Sequence, residues 1–217
     1  MERYETVLHG RDVEALDILI TIHCAVDNPN ILDCTHNTGK MWKKSSYKPI
    51  RMDIDALFDL DLVGDFTNMP FGDKQYDIIV FDPPHLPIAA ASKNSSKIWE
   101  KMYGITANGD GREGNNVSGM FLSFLKEARR VLKQDGIVLA KIADLVHNHR
   151  YQWQQVDFIN AVREIEMTPC DMLIKCDPCA GNLKSSKWKN VKHLRKAHCY
   201  WIVARNSKKC EVKKQGN

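Results

Sequence analysis

Apolar positions along the chain occur in two patterns. One is the short continuous run, best seen in Tyr76-Asp77-Ile78-Ile79-Val80-Phe81-Asp82. Its β-branched and aromatic residues mark a strand buried on both faces. Pro83 and Pro84 follow, and proline cannot continue a ladder, so the strand is expected to stop at Asp82. Similar runs predict strands at 30–33, 48–53, 61–66, 136–141, 170–174 and 197–204. The other pattern has a period near 3.6 and predicts helices. Over 12–24, Leu16, Leu19, Ile20 and His23 share a face, with Asp12 placed to cap. Over 121–132 the apolar face is Phe121, Phe124, Leu125, Ala128 and Leu132. A further helix is expected over 153–166 and a short one from Lys40. Lys133-Gln134-Asp135-Gly136 reads as a helix terminator. Strands alternating with helices imply a doubly wound α/β fold with a mostly parallel sheet. The last strand is reached without an obvious helix, which makes an antiparallel terminal pair. The expectation is therefore seven strands with the last one antiparallel.

Composition adds bounds. With 217 residues, 43% hydrophobic and 27% charged, the chain suits one globular domain. No apolar run reaches the length of a membrane span. Met1 to Glu5 is polar and lacks the apolar core of a signal peptide, and seven scattered cysteines make an odd count. Reduced thiols and a cytoplasmic location are the expectation. The net charge of +4 is unevenly spread: residues 184–214 carry eleven lysines and arginines against the single acid Glu211. That bias suits a polyanion, with Lys189, Lys192, Arg195 and Lys196 as phosphate contacts and Trp188 as a surface for base stacking. Residues 88–117 are rich in breakers and read as a loop that covers substrate.

Three predicted strands end in acids: Asp33, Asp53 and Asp65. After Asp33 comes the small polar loop Cys34-Thr35-His36-Asn37-Thr38-Gly39 and then a helix start, a place where backbone N–H groups can approach a ligand. The dinucleotide fingerprint GxGxxG is absent. Asp53 lies about twenty residues beyond the loop acid, a spacing that suits hydrogen bonds to a ribose diol, with Asp55 as a close competitor. Asp65 is placed to accept from an exocyclic adenine amine, and Phe66 to lie against its ring. The next strand ends in Asp82-Pro83-Pro84-His85. Lys141 and Asp144 stand near the active end of the strand after that.

This series resembles the class I S-adenosylmethionine-dependent methyltransferases, over roughly residues 12–205. The loop after Asp33 is similar to their first motif, Asp-Pro-x-Cys-Gly-x-Gly, with Gly39 as its last glycine; Asn37 replaces an inner glycine and Cys34 stands where proline is common. Asp-Pro-Pro-His resembles the Asp-Pro-Pro-aromatic motif of enzymes that methylate exocyclic amines of adenine or cytosine. The resemblance implies a Rossmann-like fold. It places S-adenosylmethionine against Asp33, Cys34, Thr35, Asn37, Gly39, Asp53, Asp65, Phe66 and Asp82. It gives Asp82, Pro83, Pro84 and His85 to catalysis, and Lys141, Trp188, Lys192, Arg195 and Lys196 to the substrate. An exocyclic amine is a poor nucleophile because its lone pair is conjugated into the ring. The Asp82 carboxylate and the Pro83 carbonyl would accept its two N–H bonds and aim the lone pair at the methyl group. His85 would stack on the target base. The implied substrate is a DNA or RNA base, adenine N6 first, with a protein partner or a second copy of the chain left open. A protein or small-molecule amine is the alternative substrate. A nucleic-acid-binding or scaffolding protein that kept the fold and lost catalysis is the alternative from another class. Cys176-Asp177-Pro178-Cys179 lacks a second CxxC, so no metal is expected.

Overall fold

The computed structural model describes residues 4–83, 117–147, 150–176, 194 and 196–208. Its strands are β1 (Val7–His9), β2 (Ile31–Asp33), β3 (Ile50–Asp53), β4 (Leu62–Val63), β5 (Tyr76–Phe81), β6 (Leu132–Ile142), β7 (Leu145–His147), β8 (Arg150–Gln152), β9 (Thr168–Cys176) and β10 (His198–Arg205). Its α-helices are α1 (Asp12–His23), α2 (Val117–Val131) and α3 (Gln154–Glu164), with a 3-10 turn at Lys40–Trp42.

One eight-stranded sheet runs in the order β1-β9-β10-β6-β5-β2-β3-β4, and β7 and β8 form a separate hairpin. β5 pairs in parallel with both β2 and β6, and β2, β3 and β4 continue in parallel. β10 enters antiparallel between β6 and β9. The antiparallel last strand is thus internal. The sheet has eight strands rather than seven, because Val7–His9 adds in parallel to the outer side of β9. Three residues are too few for a periodicity to be read, which is why β1 escaped the sequence pattern.

Strand alternation divides the core. Ile78 and Val80 of β5 face α1 along with Leu16, Leu19, Trp42 and Trp201. Ile79 and Phe81 face α2 and α3, in a layer holding Phe121, Phe124 and Phe158. The Phe81 and Phe124 rings stack at 3.6 Å between centroids and 7° between planes. Helices therefore cover both faces, as a doubly wound sheet requires.

Two local expectations are corrected. Arg11, not Asp12, is the N-cap of α1, and its backbone N–H donates to Glu14 Oε2 at 3.1 Å. Lys133 to Gly136 does not form a free turn after α2. These residues are drawn into β6, where the register against β5 shifts between Tyr76 and Ile78 and Asp135 takes φ 62°. Lys133 Nζ pairs with Asp77 at 2.9 Å and Asn206 donates to the Lys133 carbonyl at 3.1 Å, so tertiary bonds hold the irregular segment in the sheet.

Candidate active site

The strand order reverses between β2 and β5, and ligands of open α/β sheets bind beyond the carboxyl ends of the strands at such a point. Two segments leave the sheet there. Thr35–Gly39 follows β2, and Asp82-Pro83 follows β5. They are stitched together: the Asp82 backbone N–H donates to Thr35 Oγ1 at 2.7 Å, and the Cys34 N–H and thiol both donate to the Val80 carbonyl at 3.2 Å. Burial and the neighbouring Asp33 push the Cys34 thiol well above its ordinary range, so it stays protonated as a donor.

Asp33 lies beneath the loop with no exposed surface. Its Oδ2 takes His36 Nδ1 at 2.8 Å and the Trp42 indole N–H at 2.7 Å, and its Oδ1 takes the Thr35 N–H at 3.3 Å. This geometry changes its expected part from touching a ligand to shaping the loop that would. Replacing Trp42 by Phe removes one donor from this buried carboxylate. The expected cost is about 1–3 kcal/mol, read by denaturant unfolding.

The loop path needs two left-handed residues, Asn37 at φ 51° and Gly39 at φ 64°. Asn is among the side chains that best tolerate that region, so the Asn that replaces the family's inner glycine still follows a glycine-like backbone. At Gly39 a Cβ would lie 2.6 Å from His36 Nε2, which excludes a side chain without movement. The Asn37 N–H donates to Asp53 Oδ2 at 2.8 Å and the Asp55 N–H to Asp53 Oδ1 at 3.1 Å. Burial raises the Asp53 carboxyl above its ordinary value, and these backbone donors oppose the rise.

Between loop and strand end lies a cleft of about 380 Å³, whose lining includes Thr35, Asn37, Lys40, Asp82, Pro83 and Lys141. Ligand sites span roughly 300–1,000 Å³. Lys141, at the carboxyl end of β6, reaches Asp82 Oδ2 at 3.1 Å and Asp12 Oδ2 at 3.2 Å. Asp12 Oδ1 in turn takes Lys175 at 3.0 Å and the Trp201 indole at 3.3 Å. Burial alone would depress Lys141; the carboxylates of Asp82 and Asp12 outweigh it and hold the ammonium well above the usual lysine range. Cys199 nearby is pushed up to about 11, chiefly by burial.

Of the residues singled out from sequence, Thr35, Asn37, Asp82, Pro83 and Lys141 line the cleft. Asp53 and Asp65 end or follow the neighbouring strands β3 and β4 outside its lining, and Asp65 Oδ1 accepts from both the backbone and the hydroxyl of Thr67 at 2.8 Å. Phe66 is half-buried and meets Phe81 edge-on at 5.2 Å. Lys196 lies with its Nζ 5.4 Å from the Tyr151 ring and 4.9 Å from that of Trp153. Pro84, His85, Trp188, Lys192, Arg195, most of the 88–117 loop and Cys179 lie outside the described residues. Among the described residues no group of His, Cys, Asp and Glu is arranged to hold a metal, and no helix is long and apolar enough to cross a membrane.

Sequence reasoning did not find Asp12, Lys40 or Lys175 as site residues. Asp12 was visible only as a helix-start acid. Nothing in the linear order shows that Lys141 and Lys175, 129 and 163 residues away, meet it.

No protein-family model and no curated protein matches the chain. Solved structures do. The chain aligns with a provisionally assigned sarcosine dimethylglycine methyltransferase from Galdieria sulphuraria at 12% identity and TM-score 0.56, covering 96% of this chain and 95% of that one. It aligns with a SAM-dependent methyltransferase from Methanosarcina mazei at 10% identity and TM-score 0.53, covering 88% and 97%. A provisionally assigned DNA modification methylase from Thermus thermophilus matches at 13% identity with a TM-score of 0.45, too loose to carry an argument; the alignment covers 76% of this chain and 56% of that one. With β10 antiparallel inside an otherwise parallel sheet, and with these likenesses, the chain has the fold of the class I S-adenosylmethionine-dependent methyltransferases.

Proposed function

We propose that the protein is an S-adenosylmethionine-dependent N-methyltransferase whose substrate is an exocyclic amine of a nucleic-acid base, adenine N6 first. The observation that carries this reading is the placement of Asp82. It follows the last residue of β5 at the topological switch point, its backbone N–H is tied to Thr35 Oγ1, and its carboxylate is held by Lys141 at the wall of the cleft.

The residues present fit S-adenosylmethionine. Its amino-acid end carries both an ammonium and a carboxylate, and the cleft offers both the carboxylates of Asp12 and Asp82 and the ammonium groups of Lys40 and Lys141. The left-handed turn at Gly39 has no room for a Cβ, as in a loop that brings backbone close to a ligand. When bound, the cofactor supplies an electrophilic methyl group on a sulfonium. The chain's part is positional and electrostatic. Asp82 and the Pro83 carbonyl take the amine's two N–H bonds, which turns its lone pair outward. The carboxylate then stabilises the positive charge that develops on nitrogen. Lys141 fixes the carboxylate and keeps it ionised. The proton lost from the methylated amine leaves to water by way of Asp82.

Calorimetric titration with S-adenosylmethionine and S-adenosylhomocysteine tests the first half, with saturable binding of both as the expected result. Labelled-methyl transfer to DNA, RNA and protein pools tests the second, with nucleic acid as the expected acceptor. No binding at millimolar ligand removes the proposal, and labelling confined to protein removes its substrate class.

A further inference from the structure

A second cavity, of about 510 Å³, adjoins the cleft and shares Asp12, Lys40 and Met41 with it. Its lining holds five cations, Arg11, Lys40, Lys43, Lys44 and Lys175, against one carboxylate, Asp12. Two of these cations are already neutralised: Arg11 pairs with Glu14 at 2.7 Å and Lys175 with Asp12 at 3.0 Å. Lys40, Lys43 and Lys44 have no ion-pair partner among the described residues. Three uncompensated ammonium groups within five residues repel one another, and a free surface loop would spread them apart. Here they are held. Trp42, between them, is buried and bonded to Asp33, and the following Lys44 sits at φ 76°, a backbone region that long side chains rarely adopt. The turn is thus locked to the same buried carboxylate that shapes the loop of the adjoining cleft.

We infer that this cavity is a phosphate site, and that its occupant is a phosphodiester of the polynucleotide strand that carries the target base. The inference rests on the methyltransferase reading for its substrate but not for its chemistry. Strong positive charge in a concave site points to an anion. Its seam with the cleft at Asp12, Lys40 and Met41 puts that anion beside the reacting base, where a strand has a phosphate. The excess of lysine and arginine over 184–214 fits a strand that continues beyond the cavity. A phosphate here would set the register of the strand, leaving base choice to the cleft.

The test uses the full chain and fluorescein-labelled oligothymidylate, whose bases have no exocyclic amine, so binding is read without methyl transfer. Lys43→Gln combined with Lys44→Asn removes two charges outside the first cleft, and Asn suits the left-handed backbone at 44. Fluorescence anisotropy over a salt series is expected to show affinity reduced roughly tenfold at low salt. The slope of log affinity against log salt should flatten by about 1.4, near 0.7 per lost contact on a single strand. The Lys43→Arg, Lys44→Arg pair should keep the wild-type slope, which separates charge loss from a disturbed fold. Cofactor affinity in both variants should stay within about twofold. An unchanged slope in the charge-removing variant overturns the inference. So does equally tight competition by inorganic phosphate or pyrophosphate, which would make the cavity a free-anion site. If the wild type binds no S-adenosylmethionine, the methyltransferase proposal falls while the salt slopes still decide the cavity.

Discussion

Asp82→Asn is expected to lower turnover on the nucleic-acid substrate by about 10²–10³, the loss typical of removing one preorganised electrostatic partner from a reaction centre. Asn keeps the size and shape of Asp and leaves Lys141 paired with Asp12, so the fold should stand. It cannot offer a full negative charge to the nitrogen as that atom becomes cationic. Its amide can also present N–H where the reaction needs an acceptor. S-adenosylmethionine affinity should change by only a few-fold, because the loop from Thr35 to Gly39 and the Asp53 bonds are untouched. Single-turnover methyl transfer, set beside calorimetric cofactor binding, separates the two effects. A variant that turns over at the wild-type rate would refute the role given to Asp82.

Lys141→Met should lower both stability and turnover. The ammonium lies between two carboxylates, and its removal leaves Asp82 and Asp12 facing each other with less compensation. Breaking a fully buried pair costs about 3–5 kcal/mol; with these side chains about one-fifth exposed, about 2–3 kcal/mol is expected. That is a large share of the ~5–15 kcal/mol that holds a domain folded. The pH dependence has a definite sign. Lys141 is raised in the folded state, so its contribution is complete below the unfolded lysine value, about 10.4, and is lost only as pH climbs through the higher folded value. The stability gap between wild type and variant should therefore be flat through the neutral range and narrow only in strong alkali. Denaturant unfolding across pH checks this, and a gap that closes near neutrality would contradict the assignment.

The elements that sequence revealed were those whose periodicity is long or whose boundary is chemical. β5 runs to Phe81 because Asp82 meets Pro83, and α1 spans 12–23 because Leu16, Leu19 and Ile20 share a buried face. The switch-point loop was legible because an acid, small residues and Gly39 stand in a fixed order. The predicted strand at 61–66 shrank to Leu62–Val63, since Asp65 turns back to Thr67 and an isolated bridge with Asn68 takes its place. The β7–β8 hairpin was missed because its strands are three residues each, between polar residues with no turn signature. The charged chain from Asp82 through Lys141 and Asp12 to Lys175 was illegible for a different reason. It joins four elements that are distant in sequence, and a lone charge carries no mark of its partner.

The position of β10 has a consequence for how the protein comes to be active. It fills the gap between β6 and β9, so before it docks β6 presents an open edge and β1 and β9 have no link to the main sheet. Strands made early must wait for one made late, a high-contact-order assembly that folds slowly and exposes a sticky edge meanwhile. Trp201 on β10 is also the residue whose indole meets Asp12, the carboxylate that shares Lys141 with Asp82. The nascent chain can thus form its loop and its Asp82 turn well before their charges are set. Catalytic competence arrives as the final folding event, and recovery of activity on refolding is a clock for the docking of a single strand.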